Sequence, residues 1–273
     1  MYNIWKLRGG DEVESRLLQA ALAVYDALND DDDDIRNLVA EITPWILAGS
    51  ADSVPTDIAV PLIASQNLAA GLTSIFDSQG LCKEAIRRLT GSAIQEPGPS
   101  QTVAELLADA QKENTSLFVV EKQNLFIDTV REARLWSQVA SSLSTSTVPP
   151  PLAESLAAWV VKGIATFTTA QKENFDGPLG FSSKPQVFSL GMQLIYAAEV
   201  LLTWKRLKVR FSVKASHLRR MLFEWIEVGQ SKGMHEMWTD AILSLLSPRV
   251  MLKVKATGQI LREVLAGLQA KPC

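Results

Sequence analysis

The chain has 273 residues, a mass of 29.9 kDa and a formal net charge of -3, with 47% hydrophobic and 21% charged residues. Such a chain can bury a substantial core, and its balance excludes a disordered tail, a collagen-like polymer and a histone-like basic protein. Its cysteines, Cys82 and Cys273, are too few for a disulfide framework or a cysteine-based zinc site, and His217 and His235 leave little material for metal binding or acid–base chemistry.

Helical periodicity dominates from the start. Leu17, Leu18, Ala21, Val24, Tyr25 and Leu28 recur at spacings of three and four, which places them on one helix face. Asn29 and an aspartate run end that helix. Ile35, Leu38, Val39, Ile42, Trp45 and Ile46 mark a second amphipathic helix, which Pro44 is expected to kink or shorten. The aspartates between the two helices sit where they cap free backbone N–H groups and face the positive end of the second helix. Arg36, one turn in, is placed to pair with an acid of this unit or a neighbour. Further helices are predicted near 57–75, 79–90, 101–111, 117–143, 151–173, 185–207, 214–230, 234–246 and 249–269. Breaks fall at Gln95–Ser100, Ser144–Pro151 and Asp176–Gly180, where Pro, Gly and Ser cluster. No run of five or more β-branched residues lies between turn signals, so the fold class is all-α. One domain over 1–273 is expected, with a possible internal break at the Ser/Pro-rich linker 144–151.

The helix–turn–helix of residues 17–47 resembles a HEAT-type repeat unit, and the later helices follow that pattern less closely. The expected architecture is therefore an irregular HEAT/armadillo-like helical solenoid, an α-α superhelix. Because Met1 falls almost on top of a repeat unit, the chain reads as a C-terminal segment of a longer solenoid. The most apolar stretches, near 152–167 and 187–204, are interrupted by Lys162, Gln193 and Glu199, so no membrane partner is expected. The opening MYNIWKLRGGDEVE carries no apolar signal core, which points to a cytoplasmic protein.

Candidate chemistry is sparse. Asp30, Asp32, Asp34 and Glu41 mimic the spacing of a calcium loop, but Ile35 occupies the position that needs glycine for the sharp turn. A capped inter-helix turn explains these residues better. DGPLGFSSKP (176–185) lacks P-loop spacing and reads as a rigid turn, with Ser182 or Ser183 capping the next helix and Pro185 in its first turn. No nucleotide fingerprint, GxSxG elbow or paired-histidine metal motif appears, so no catalytic residue, cofactor or metal ligand is assigned.

Charge is unevenly placed. Residues 201–256 carry Lys205, Arg206, Lys208, Arg210, Lys214, Arg219 and Arg220, followed by Lys232, Arg249, Lys253 and Lys255, against only Glu224, Glu227, Glu236 and Asp240. The first 34 residues are dominated by acids. A basic stretch of this kind, with Trp204, Phe211 and Trp225 nearby, is a candidate surface for an RNA backbone. The tryptophans fit better as core residues at helical spacing. A second candidate is the polar cluster Glu121, Lys122, Gln123, Asn124 and Asp128, read within a predicted apolar helix. It either ties neighbouring helices together or faces a partner.

Three stretches carry a family resemblance: VYDALNDDDDDIRNLVAE (24–41), LFVVEKQNLFIDTVREARLW (117–136) and DGPLGFSSKPQVFSLGMQLIYAAEVLL (176–202). Together they resemble the C-terminal region of the thyroid-adenoma-associated protein (THADA) family. The resemblance implies a non-catalytic solenoid like the fungal members, which are regulatory partners of a tRNA ribose 2′-O-methyltransferase. It implies an FtsJ-like methyltransferase as partner, which would itself bind S-adenosylmethionine and methylate nucleotide 32 of the tRNA anticodon loop. Contact with tRNA is possible on this view, and DNA is not an expected partner. A general protein-interaction scaffold without RNA contact remains the alternative.

Overall fold

The computed structural model describes residues 2–48, 68–69, 71–73, 75–95, 98–111, 128–173 and 180–246, the side chains of 2–11, 44–48, 95 and 98–99 excepted. Helix α1 spans Tyr2–Ala27, α2 Asp33–Ala48 and α3 Gln79–Leu89. A two-residue antiparallel ribbon, β1 (Ile94–Gln95) and β2 (Gly98–Pro99), precedes α4 (Val103–Gln111). Then come α5 (Thr129–Ser142), α6 (Pro150–Glu173), a 3-10 turn at Phe181–Ser183, α7 (Pro185–Arg206), α8 (Ala215–Lys232) and α9 (Glu236–Leu245). The fold is all-α, and the ribbon is a clip between helices.

Local chemistry explains where these helices begin and end. Ser78 caps α3 by accepting the Leu81 N–H at 3.3 Å. Thr102 and Glu105 form a reciprocal capping box on α4: Thr102 N–H donates to the Glu105 carboxylate at 2.8 Å, and Glu105 N–H donates to the Thr102 hydroxyl at 3.3 Å. At the α1–α2 turn, Asp32 Oδ1 accepts the Asp34 N–H at 2.8 Å, while Arg36 pairs with Asp33. The aspartate run is thus spent on capping, and the backbone is helical from Asp33, so Ile35 and its successors form no ion-wrapping loop.

Four expectations need correction. Helix α2 runs through Pro44 to Ala48, so of the two expected effects of that proline the shortening does not occur. Of the helix expected over 117–143, residues 117–127 lie outside the described residues, and Asp128, with an extended backbone (φ -89°, ψ 109°), is the N-cap of α5. Its carboxylate accepts from Val130 and Arg131 N–H at 2.9 and 3.2 Å, so Asp128 belongs to a helix start and not to a polar cluster inside a helix. The N-cap of α7 is Lys184 rather than a serine, with Pro185 supplying a first helical residue that needs no N–H partner. Finally, α7 does pass the length and composition test for a membrane span, at mean hydropathy 1.4, but 67% of that window is buried inside the fold. It is the core helix of the assembly. The helix predicted at 249–269 and residues 121–124 lie outside the described residues.

The helices form two rows. Helices α1, α3, α5, α7 and α9 lie side by side in one row, each touching the next, and α4, α6 and α8 form the other. Alternate helices stacking in separate layers is the arrangement of a helical solenoid. Helix α7 joins the rows, touching α3, α4, α5, α6, α8 and α9. This explains its nearly uniform apolar character, because a helix surrounded by neighbours has little solvent face to mark with charge. The linker after α5 is pinned by Asp77, whose carboxylate accepts from Ser144 N–H at 3.0 Å and the Thr147 hydroxyl at 3.2 Å. A connected core of buried residues extends from Leu18 to Leu246.

Two features hold the helices in register. On one side, Arg88 of α3 donates to both Asp26 oxygens at 2.5 and 2.9 Å and to Glu84 at 2.5 Å, with its guanidinium 5.2 Å from the Tyr25 ring and 5.0 Å from Trp136. Beneath it, the Tyr25 hydroxyl and the Trp136 N–H both donate to Glu132 Oε2, at 2.5 and 3.1 Å. Burial, aided by the Glu132 charge, pushes the Tyr25 hydroxyl well above the ordinary tyrosine value, so it stays a donor. Burial opposes charge on Arg88, but hydrogen bonds to Asp26 and Glu84 outweigh it and hold the guanidinium above its ordinary value. On the other side, Phe167, Phe181, Trp225 and Trp238 form an aromatic cluster with centroid separations of 5.3 to 6.4 Å.

Gly191 lets the Trp238 indole of α9 lie against the α7 backbone; a Cβ there would collide with the ring, and Gly191→Ala is expected to destabilise the fold by about 3 kcal/mol in urea denaturation. Arg88→Ala should cost about 2 kcal/mol in the same measurement, less than a fully buried pair because Asp26 is 59% exposed and water screens its share.

Candidate nucleic-acid interface

The basic stretch lies on one continuous feature: the last turn of α7, the loop 207–214 and the first turns of α8. The end of α7 is a Schellman motif. Lys208 N–H donates to Lys205 O at 3.1 Å and Val209 N–H to Trp204 O at 2.9 Å. The position that closes this motif is left-handed, and here it is Lys208, at φ 68°, where glycine is the usual occupant. Val209 is buried behind it, as the motif's hydrophobic contact requires. The C-terminal lysine and arginine of α7 also suit the negative end of its dipole.

The seven candidate residues divide into two groups. Arg206, Lys208, Arg210, Lys214 and Arg220 are exposed. Arg220 shares a 3.0 Å contact with His217 Nδ1 and remains solvent-facing. Lys205 is turned inward: its ammonium donates to Phe211 O at 2.5 Å and sits 3.8 Å from the Phe211 ring centroid. Arg219 is half-buried, its Nε has no hydrogen-bond partner, and burial lowers its proton affinity below the usual arginine value. Lys205 therefore braces the loop, Arg219 is half-withdrawn from solvent, and the five others form the exposed strip.

Two of the three aromatics do not line this strip. Trp204 and Trp225 are fully buried, and the Trp204 N–H donates to Ala140 O at 3.0 Å. Phe211, in the loop itself, is only partly buried, with the Lys205 ammonium 3.8 Å from its ring centroid, and the exposed cations around it suit the surface to backbone phosphates. The start of α8 adds to its positive potential. Lys214 is the N-cap and makes no side-chain capping bond, and no acid occupies the first turn.

A residue far away in sequence braces the loop. Glu154 of α6 accepts the Ser212 N–H at 2.7 Å with one oxygen and the Ser212 hydroxyl with the other. These bonds from Ser212 hold its carboxyl below the ordinary glutamate value. Nothing in the sequence marks Glu154 for this role, since it lies 58 residues before its partner. Together with Lys205, it fixes residues 211 and 212 from both sides.

A cleft of about 310 Å³ opens elsewhere, between α5, α7 and α9. Arg134, Tyr196, Glu199 and Asp240 line it. The Glu199 side chain reaches solvent at one edge, yet the cleft walls desolvate its carboxyl and raise its pKa, against the nearby Arg134 charge. Its mixture of signs does not extend the basic strip.

Residues 71–250 match the model of the Trm732_C family, described as the Trm72 ARM-like repeat region. The chain belongs to this family. No curated protein and no solved structure matches it. The Trm732_C match includes the second and third of the sequence stretches singled out above, while 24–41 lies before it. It also takes in both rows of helices from α3 to α9 and the whole basic strip.

Replacing the left-handed Lys208 with glycine relieves a backbone penalty, and Lys208→Gly is expected to stabilise the chain by about 1 kcal/mol in urea denaturation. The same change removes one exposed positive charge, so stability and anion binding should move in opposite directions.

Proposed function

We propose that this chain is a non-catalytic regulatory subunit for tRNA 2′-O-ribose methylation at nucleotide 32 of the anticodon loop, working on cytoplasmic tRNA. Its partner is an FtsJ-like methyltransferase, which supplies the S-adenosylmethionine site and the chemistry. The observation that carries this reading is the Trm732_C match over residues 71–250, a region that folds as a layered ARM-like solenoid. A solenoid presents an extended surface on which an enzyme and its RNA substrate can be held together. The exposed strip of Arg206, Lys208, Arg210, Lys214 and Arg220 is the surface best suited to the tRNA backbone. The polar segment Glu121, Lys122, Gln123 and Asn124 remains a candidate for the enzyme contact.

The test is co-purification of the full chain with its host's FtsJ-like methyltransferase, followed by mapping of 2′-O-methylation on tRNA. The enzyme should be retained, and modification at nucleotide 32 should depend on the chain. Charge reversal of Arg206, Arg210 and Lys214 should weaken tRNA binding by at least about tenfold at 0.15 M salt and flatten its salt dependence, with enzyme retention and thermal melting unchanged. A folded chain that neither retains the enzyme nor stimulates methylation overturns the proposal. Retention and methylation that ignore the charge reversals would leave a protein scaffold without RNA contact.

A further inference from the structure

Ser212 occupies an unusual position on the basic strip. It is exposed, lies in the loop before α8, and has Arg210 two residues before it, Lys208 four before, Arg206 six before and Lys214 two after. Arginine-directed kinases bind such a run of cations with carboxylates of their own, provided the serine sits in a segment that can extend. Ser216, also exposed, lies within α8 and does not meet that condition. At rest, the Ser212 hydroxyl and N–H are both held by Glu154.

We propose that Ser212 is a phosphorylation site for a basophilic protein kinase, and that its phosphate switches off the basic strip. The switch rests on the RNA-binding reading given above. In the reaction, Ser212 Oγ attacks the γ-phosphorus of a nucleoside triphosphate. The new Oγ–P bond forms as the bond to the β–γ bridging oxygen breaks, the nucleoside diphosphate leaves with that electron pair, and the hydroxyl proton passes to the kinase's base.

The structural consequence follows from charge. A phosphoserine carries a charge of about -1.5 to -2 at neutral pH and has lost the proton that Ser212 now donates to Glu154. Two anions cannot share that position, so the Glu154 clamp opens. The released phosphate lies among Arg206, Lys208, Arg210 and Lys214, whose charges it pairs from within the chain. Those are the groups available to an RNA backbone. Glu154 therefore keeps the unmodified loop in its binding geometry and also limits access of a kinase to the hydroxyl.

The experiment incubates the full chain, Ser212→Ala, Ser216→Ala and Glu154→Gln with an arginine-directed kinase and labelled ATP. The site is mapped by mass spectrometry, and tRNA affinity is measured before and after modification. Label should appear on Ser212, vanish in Ser212→Ala, persist in Ser216→Ala, and enter about tenfold faster in Glu154→Gln, where the charge-assisted clamp is weakened. Phosphorylation should lower tRNA affinity about tenfold at 0.15 M salt and make the salt dependence shallower by about two charges. Absence of label from Ser212 in the full chain, while a peptide of residues 206–218 accepts it, overturns the proposal. So does full phosphorylation with unchanged tRNA affinity, which leaves the adaptor reading intact. An unmodified, folded chain that does not bind tRNA overturns the RNA contact itself, and the switch with it.

Discussion

Helix α7 is enclosed by both rows of the solenoid, and most of the structure follows from that enclosure. Its apolar residues cannot be sorted onto one face, because neighbours approach from nearly every direction. Close approach sets the sequence at particular points: Gly191 admits Trp238, and Gly163 on α6 admits Leu194. A helix buried in this way carries charge chiefly at its end. Lys205 and Arg206 close α7, and the loop that follows continues with Lys208, Arg210 and Lys214. The candidate RNA surface is thus the place where the central helix emerges into solvent.

Away from α7, three helices of one row, α1, α3 and α5, are joined by a polar junction as well as by apolar contact. Arg88 reaches Asp26 of α1 and Glu84 of its own helix, while its face lies over Tyr25 and Trp136. Charged groups this close to the core are tolerated because each has partners with specific geometry. The Tyr25 and Trp136 donors converge on one oxygen of Glu132, so α1, α3 and α5 are fixed in relative register as well as in distance. Apolar packing alone, being non-directional, specifies such register less sharply.

The candidate RNA-binding loop shows a similar division between free surface charge and charge used as support. The exposed cations face water, where they cost little and remain available to an anion. Lys205 and Glu154 use their charges on the chain itself, on Phe211 and Ser212. The loop is therefore presented in one geometry, which lowers the entropy lost on binding a polyanion. Lys208 adds to that surface from a backbone conformation that favours glycine, which is the kind of local cost a functional position retains.

The sequence by itself determined the all-α class, most helix positions and the membership of Trp204 and Trp225 in the core, because amphipathic spacing and capping chemistry act over a few residues. Thr102 with Glu105, and the left-handed Gly91 just past the end of α3, are local signals of this sort. It also showed where positive charge accumulates. Some of what it left open is local but was masked by periodicity, and the rest depended on contacts between distant residues. Periodicity ran through Asp128 without revealing that its side chain caps α5, and seven basic residues looked equivalent although Lys205 and Arg219 turn inward. Only the tertiary structure brought Glu154 to Ser212 and Arg88 to Asp26, because a hydrogen bond between separate helices requires a distance and an angle that the packing of whole helices sets.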